Sequence, residues 1–229
     1  MVKYILWDID RTILDFDKAE TMAIRKCFNL FGLGTCSDAE LKDYKKFNDY
    51  YWEKLEKGEI KKSEVLVNRF RDLFEKYGHD LDIIEDFNHT YQISLGEFAY
   101  FMPNARKALE HFKGRIGQYA ASNGTALAQR GKIKNSGLDK ILDGFFISED
   151  LGFEKPSIGF FKEIFEDLKD ENRGNYLIVG DSLTSDIQGG INAGIKTIWY
   201  NPRGKENINK LKVDYEIKDL LELIDIVEN

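Results

Sequence analysis

Cysteine is almost absent from this chain of 229 residues: there are two, Cys27 and Cys36. Their spacing fits no zinc pattern and no second Cys or His cluster accompanies them, so two reduced thiols are expected and a structural zinc or disulfide framework is not. Histidine is equally scarce. His79, His89 and His111 stand apart without ligand spacing, so a metal held here would be held by oxygen. No apolar run approaches the roughly 20 residues that span a bilayer. No basic stretch followed by an apolar one opens the chain, where Asp8 and Asp10 arrive at once, so no secretory signal is expected and the protein reads as cytoplasmic, with no membrane partner. Positive charge is in deficit, 33 Lys and Arg against 40 Asp and Glu for a net −7, which gives no support for nucleic acid or an acidic membrane as partner. With only three prolines and no repeat or low-complexity tract, no linker separates the chain into parts.

What is present suits a folded globular protein: 42% hydrophobic and 13% aromatic residues, on a chain long enough for one sizeable core, or a core with a small second domain. The stretch from Tyr4 to Thr12, YILWDIDRT, is the most informative. Tyr4, Ile5, Leu6, Trp7 and Ile9 form an apolar run that suits a buried strand. Asp8 and Asp10 break it at its carboxyl end, where two carboxylates repel each other and lose hydration unless a cation or donors sit beside them. Ligands of open parallel sheets bind at strand carboxyl ends, so a strand ending in acid suggests a metal-assisted site.

The next 84 positions, 16–99, read as helix with almost no strand signal. Ala19, Met22, Ala23, Cys27, Leu30 and Phe31 make one stripe, stopped by Gly32 and Gly34. Leu41, Tyr44, Phe47, Tyr51 and Leu55 make a second, ended near Gly58; Leu66, Phe70, Leu73, Phe74 and Tyr77 a third, ended at Gly78; Leu81 to Phe98 suggests a fourth helix. The aromatics at 44, 47 and 50–52 invite a nucleobase-stacking wall, but a helical stripe of this kind is more often core. Pro103 opens another helix over 104–112. From there short strands are expected at 116–122, 144–148, 176–181, 196–201 and 214–217, separated by helices at 125–135, 157–168, 186–193 and 218–227. Such alternation argues for an α/β fold, a doubly wound parallel Rossmann-like sheet with helices on both faces. Residues 1–15 and 100–229 would form the core, and 16–99 an inserted α-helical cap domain.

Four polar stretches fall at or just after predicted strand ends: Asp8 with Asp10, Ser122-Asn123-Gly124, Glu154-Lys155-Pro156, and Gly180-Asp181 with Asp186 beyond. Singly each has a structural reading. The first and second are ordinary turn signals, Lys155 a surface lysine before a helix, and Asp186 a helix N-cap. Together they converge on one sheet edge. Carboxylates without histidine favour Mg²⁺, and a lysine and hydroxyl beside a glycine turn suit phosphate oxygens. That set suggests phosphoryl transfer with an aspartate as nucleophile.

The motifs DIDRT, SNG, EKP and GDSLTSD, in this order, resemble the four motifs of the haloacid dehalogenase-like hydrolase superfamily, and with the helical insertion the resemblance covers essentially the whole chain. The run GDSLTSDIQGGINAGIKTIWYN is similar to the branch of noncanonical-pyrimidine nucleotidases and N-acylneuraminate-9-phosphatases. The resemblance implies a phosphatase acting on a small soluble phosphate ester, a nucleoside monophosphate or sugar phosphate. It implies Asp8 as the nucleophile forming an aspartyl-phosphate and Asp10 as general acid and base. Mg²⁺ would be held by the Asp8 carboxylate, the Asp10 carbonyl and Asp181, with Asp186 behind them. Ser122, Asn123 and Lys155 would grip phosphoryl oxygens, and Thr12 would shape the first loop. Closure of the insertion would exclude water. Many members have glycine where Arg11 stands. The superfamily's carbon–halogen hydrolases lack an aspartate at the position of Asp10, which disfavours a 2-haloacid dehalogenase. A phosphomutase would keep all four motifs, and a non-catalytic sugar-phosphate sensor would have no need of Asp10. A monomer or a homodimer is expected.

Overall fold

The computed structural model describes residues 2–208 and 210–228. Six parallel strands, β1 (Tyr4–Trp7), β2 (Gly117–Ser122), β3 (Gly144–Ile147), β4 (Tyr176–Gly180), β5 (Lys196–Tyr200) and β6 (Tyr215–Ile217), lie in the order β3-β2-β1-β4-β5-β6. The chain winds outward from β1 in one direction and from β4 in the other, so the order reverses between these two strands, where open sheets place their ligands. In register, Trp7 faces Ala120 on one side and Val179 on the other.

Side chains alternate across the sheet. Ile5, Trp7, Ala120, Leu177 and Val179 bury on one face with Ala105, Ala108, Leu109 and Phe112 of α5 (Ala105–Phe112). Leu6, Ala121, Tyr176 and Ile178 bury on the other, against Phe160, Phe161, Ile164 and Phe165 of α8 (Ile158–Asp167). That continuous burial is why strands such as YLIVG carry no polar alternation.

Between β1 and β2 the chain forms α1 (Phe16–Leu30), α2 (Asp38–Glu56), α3 (Lys62–Tyr77) and α4 (Ile84–Glu97), the inserted helical cap. These helices share an aromatic core in which Phe70 stacks on Tyr44 at 5.4 Å and meets Phe87 and Tyr91 edge-on at 5.1 and 5.2 Å. The buried face of α1 is Ala19, Glu20, Ala23, Ile24, Cys27 and Phe28. Met22 and Leu30, placed on that face by the sequence stripe, point to solvent. A buried Glu20 breaks the apolar pattern and rotates the true face by one position. Likewise Val65, not Leu66, is the buried member of α3.

The core helices after β2 and β3 are α6 (Ala126–Ser136) and the short α7 (Ser148–Leu151), the latter standing where a plain loop was expected. Beyond β4, Ser182 caps a π-helical turn, Leu183–Ile187, that leads into α9 (Gln188–Ala193); α10 (Glu222–Glu228) follows β6. Asp186 lies inside that turn and does not cap a helix at 186–193; Ser182, whose hydroxyl accepts from the Ser185 N–H, takes the capping role. No helix among the described residues is long and apolar enough to cross a membrane.

The insertion and the core meet where α4 crosses α6. A Cβ on Gly131 would lie 2.7 Å from the Gly96 Cα, so the two backbones touch with no side chain between them. Gly131→Val is therefore expected to cost about 1–3 kcal/mol through overpacking, read as a lower urea midpoint at unchanged slope. An unchanged midpoint would mean the helices do not approach this closely.

Candidate active site

The edge formed by the strand carboxyl ends opens into a cavity of about 400 Å³. Asp8 follows β1, its N–H donating to the Val179 carbonyl at 2.9 Å, and Asp181 follows β4, so the order reversal places the two side by side. The turn after Asp181 brings back Asp186. A Cβ on Gly180 would fall 2.1 Å from the Asp186 carboxylate, so only glycine there lets Asp186 turn inward. One oxygen each of Asp8, Asp181 and Asp186 lie within 4.8 Å of one another.

Lys155 is buried beneath them. Its Nζ donates to Asp8 Oδ1 at 2.9 Å, to Asp186 Oδ1 at 2.6 Å, and to the Ala121 carbonyl. The Asn123 side chain fixes the Lys155 backbone from both sides: Oδ1 accepts from the Lys155 N–H and Nδ2 donates to its carbonyl, each at 2.8 Å. The Asn123 side chain is thus a staple between two loops, and the Lys155–Pro156 peptide it holds is cis. Ser122 lines the cavity, its hydroxyl accepting from the Gly124 N–H at 3.1 Å.

Asp10 lines the cavity, and both oxygens of its carboxylate are engaged from α6, Oδ1 by Lys132 Nζ at 2.5 Å and Oδ2 by Gln129 Nε2 at 2.7 Å. Thr12 is fully buried outside the cavity lining, and its hydroxyl has no partner among the described residues. Arg11 adopts φ +66°, the left-handed region that glycine enters without penalty. Its guanidinium offsets that strain by pairing with Asp17 at 2.7 Å and Asp49 at 3.0 Å and lying over the Phe16 ring.

The helical insertion contributes the rest of the wall. Asn48, Asp49, Trp52, Glu53 and Glu56 of α2 line the cavity. Glu56 accepts hydrogen bonds from the hydroxyls of Ser182 and Thr184, and Lys62 of α3 donates to Ser148 Oγ at 2.5 Å and pairs with Glu154 at 3.4 Å. Of the aromatics at 44, 47 and 50–52, Trp52 alone lines the cavity; Tyr44 belongs to the core. Lys205, from the loop after β5, donates to Asp181 Oδ2 at 3.1 Å. None of Gln129, Lys132, Glu56, Lys62 and Lys205 is marked by a motif in the sequence. The one available signal was two long polar side chains, Gln129 and Lys132, three apart on a helix whose apolar residues trace no stripe.

Electrostatically the cavity has more acid than it can balance. Burial, reinforced by Asp186, Asp181 and Asp10, raises the Asp8 carboxyl well above its ordinary range against the opposing pull of Lys155. Burial also raises Asp181, with Lys205 opposing, and lifts Glu56 to about 7. Lys155 moves the other way: burial would lower it, but Asp186 and Asp8 hold it more strongly protonated than an ordinary lysine. Three converging hard-oxygen donors, with Asp8 and Asp181 held unfavourably as free anions, are a fit for a divalent cation of the Mg²⁺ type. The three carboxylates that converge are Asp8, Asp181 and Asp186.

A family model for haloacid dehalogenase-like hydrolases matches residues 2–194. This chain belongs to that family. The hydrolase is 34% identical over 225 residues to the HAD-hydrolase YfnB of Bacillus subtilis, covering 97% of this chain and 94% of that one. A crystal structure of YfnB bound to magnesium superposes with a TM-score of 0.93 at 33% identity, over 100% of this chain and 99% of the other. The pyrimidine 5'-nucleotidase PynA of Streptococcus pneumoniae is 36% identical over 234 residues, 99% of this chain and 95% of its own. The pyrimidine 5'-nucleotidase YjjG of Escherichia coli is 26% identical over 220 residues, 96% and 95%. The two relatives named pyrimidine 5'-nucleotidase agree with the branch that the run from Gly180 to Asn201 resembles.

One buried acid beside the cavity has a measurable consequence for the hydrolase. Glu20 is fully buried; Oε1 accepts from Asn48 Nδ2 at 3.1 Å, and Oε2 has no hydrogen bond among the described residues, with Lys45 3.8 Å away. Burial, only partly opposed by Arg11 and Lys45, lifts its carboxyl from 4.5 to about 7. Between those values the folded state binds more protons than the unfolded one, so Glu20 makes stability fall as pH rises through that window, by on the order of 3 kcal/mol in total. Glu20→Gln keeps the bond to Asn48 and removes the charge. It is expected to raise the melting temperature at pH 8, with the difference vanishing toward pH 4. A constant offset at all pH values would contradict this.

Proposed function

We propose that this hydrolase cleaves small soluble phosphate monoesters, pyrimidine nucleoside 5'-monophosphates foremost, in a Mg²⁺-dependent reaction through an aspartyl-phosphate on Asp8. The observation that carries the reading is the buried Lys155 joined at once to Asp8 and Asp186 at the floor of the cavity. An ammonium in that position compensates a nucleophilic carboxylate and the arriving phosphoryl oxygens in a site shielded from water. The substrate class is supported by the two relatives named pyrimidine 5'-nucleotidase.

In this reading Asp8 Oδ2 attacks phosphorus, since Lys155 engages Oδ1. As the bond to the leaving oxygen breaks, Asp10 gives that oxygen its proton. Water then attacks the phosphorus of the aspartyl-phosphate, Asp10 takes the proton, and phosphate departs with Asp8 restored. Ser122 holds the phosphoryl oxygens, with the Asn123 backbone beside it; Lys155 reaches them by exchanging one of its three present bonds, and Thr12 supports the first loop from beneath. Mg²⁺, held by Asp8, Asp181 and the Asp10 carbonyl with Asp186 adjoining, would supply the positive charge that the phosphate and carboxylates lack. Residues 16–99 act as the cap and 1–15 with 100–229 as the catalytic core. Trp52 and Phe16 offer the leaving nucleoside an apolar wall.

Wild type is expected to release inorganic phosphate from UMP or CMP with Mg²⁺, to stop on chelation with EDTA, and to recover on adding Mg²⁺ back. Asp8→Asn should lose roughly a thousandfold or more in kcat. Full activity of Asp8→Asn would refute the mechanism, and no release from any nucleotide or sugar phosphate would refute the activity.

A further inference from the structure

Asp10 sits on a strand-end turn, where a short side chain has several staggered rotamers open to it. Proton delivery to a leaving oxygen tolerates little misplacement. What fixes this carboxylate is α6. Lys132 and Gln129 lie three residues apart on one face of that helix, and their side chains are buried, 2% and 1% exposed. They engage separate oxygens of Asp10, at 2.5 and 2.7 Å. An ammonium buried without a partner is strongly unfavourable. Lys132 is held here by Asp10 on one side and the face of the Phe16 ring, 5.0 Å from its Nζ, on the other. Gln129 is accommodated because position 124 is glycine: a Cβ there would lie 2.1 Å from Gln129 Nε2. The helix is anchored in turn by Thr125, whose hydroxyl caps it and donates to Gln92 of α4 at 2.7 Å.

We infer that Lys132 and Gln129 are positioning residues for Asp10, a two-point clamp that fixes the plane of its carboxylate for proton transfer. The inference rests on Asp10 being the general acid of the proposed reaction. Because α6 starts directly after Ser122-Asn123-Gly124, the phosphoryl-gripping loop and the clamp on the acid belong to one rigid segment. The acid is thereby placed relative to the phosphorus it serves.

The test compares kcat/KM for UMP, whose leaving oxygen needs a proton, with that for p-nitrophenyl phosphate, whose leaving group departs as an anion. Because kcat/KM covers steps only through leaving-group departure, a slower second half-reaction does not enter it. Lys132→Met is expected to lose about 100-fold on UMP, within the range general acid catalysis contributes, and under about 10-fold on p-nitrophenyl phosphate. Asp10→Asn should show the same asymmetry, and the double variant should be no worse than Asp10→Asn alone. Gln129→Met, which removes one bond and no charge, should show a smaller asymmetry and serves if Lys132→Met fails to fold by circular dichroism. Equal losses on both substrates, or losses that multiply with Asp10→Asn, would overturn the clamp. If wild type hydrolyses both substrates and only Asp10→Asn is asymmetric, this inference falls and the phosphatase reading stands. If wild type hydrolyses neither, both fall.

Discussion

The site depends on one buried ammonium. Lys155 Nζ bonds Asp8, Asp186 and the Ala121 carbonyl at the bottom of the cavity, where all three residues of the ion cluster are buried. Taking a lysine and two carboxylates out of water is costly, and only close, multiple hydrogen bonds offset the cost. The surroundings serve that geometry. Asn123 holds the Lys155 backbone from both sides, Gly180 leaves room for Asp186 to turn inward, and β1 and β4 bring Asp8 and Asp181 together where the strand order reverses. Removing one partner of such a cluster typically costs about 3–5 kcal/mol, because the remaining charges stay buried and unpaired.

The cluster remains short of positive charge, which suits it to a divalent cation. Lys155 answers two carboxylates at once and Lys205 pairs with Asp181, yet Asp8 and Asp181 are both pushed toward protonation. A divalent cation held there would remove that conflict and supply the positive charge that the proposed phosphate ester calls for. The helical insertion closes the cavity from above with contacts to the same loops: Glu56 on Ser182 and Thr184, Lys62 on Ser148 and Glu154. It is also tied to α6 through the contact of Gly96 with Gly131 and the bond of Gln92 to Thr125. The insertion thus sits against the helix that holds Asp10.

Much of this was legible in the chain because strand-end chemistry is local. The apolar runs marked the parallel strands, and the acidic and glycine-bearing breaks after them marked the sheet edge where Asp8, Ser122, Lys155 and Asp181 meet. Less legible was anything that depends on a helix's rotation. Met22 and Leu30 were placed on the buried face of α1, but Glu20 is buried in their stead, held by Asn48 from α2. Gln129 and Lys132 are polar residues on a helix without an apolar stripe, so nothing in the periodicity said they face inward until Asp10 was found between them. Asp186 had the right residue type for a helix cap, but the π-helical turn after Ser182 carries it past that position into the cluster around Lys155. Arg11, in a place that suits glycine, is intelligible only through Asp17, Asp49 and Phe16, which the fold brings to it.

Everything proposed for this hydrolase turns on Asp8 taking the phosphoryl group. The most direct measurement is to quench the enzyme during turnover of UMP with borohydride, which reduces an acyl phosphate to an alcohol, and to map the product by peptide mass spectrometry. Homoserine is expected at position 8, formed only when substrate and Mg²⁺ are both present. Burst release of uridine with no reduced residue at position 8, or with the mark on another carboxylate, would contradict it.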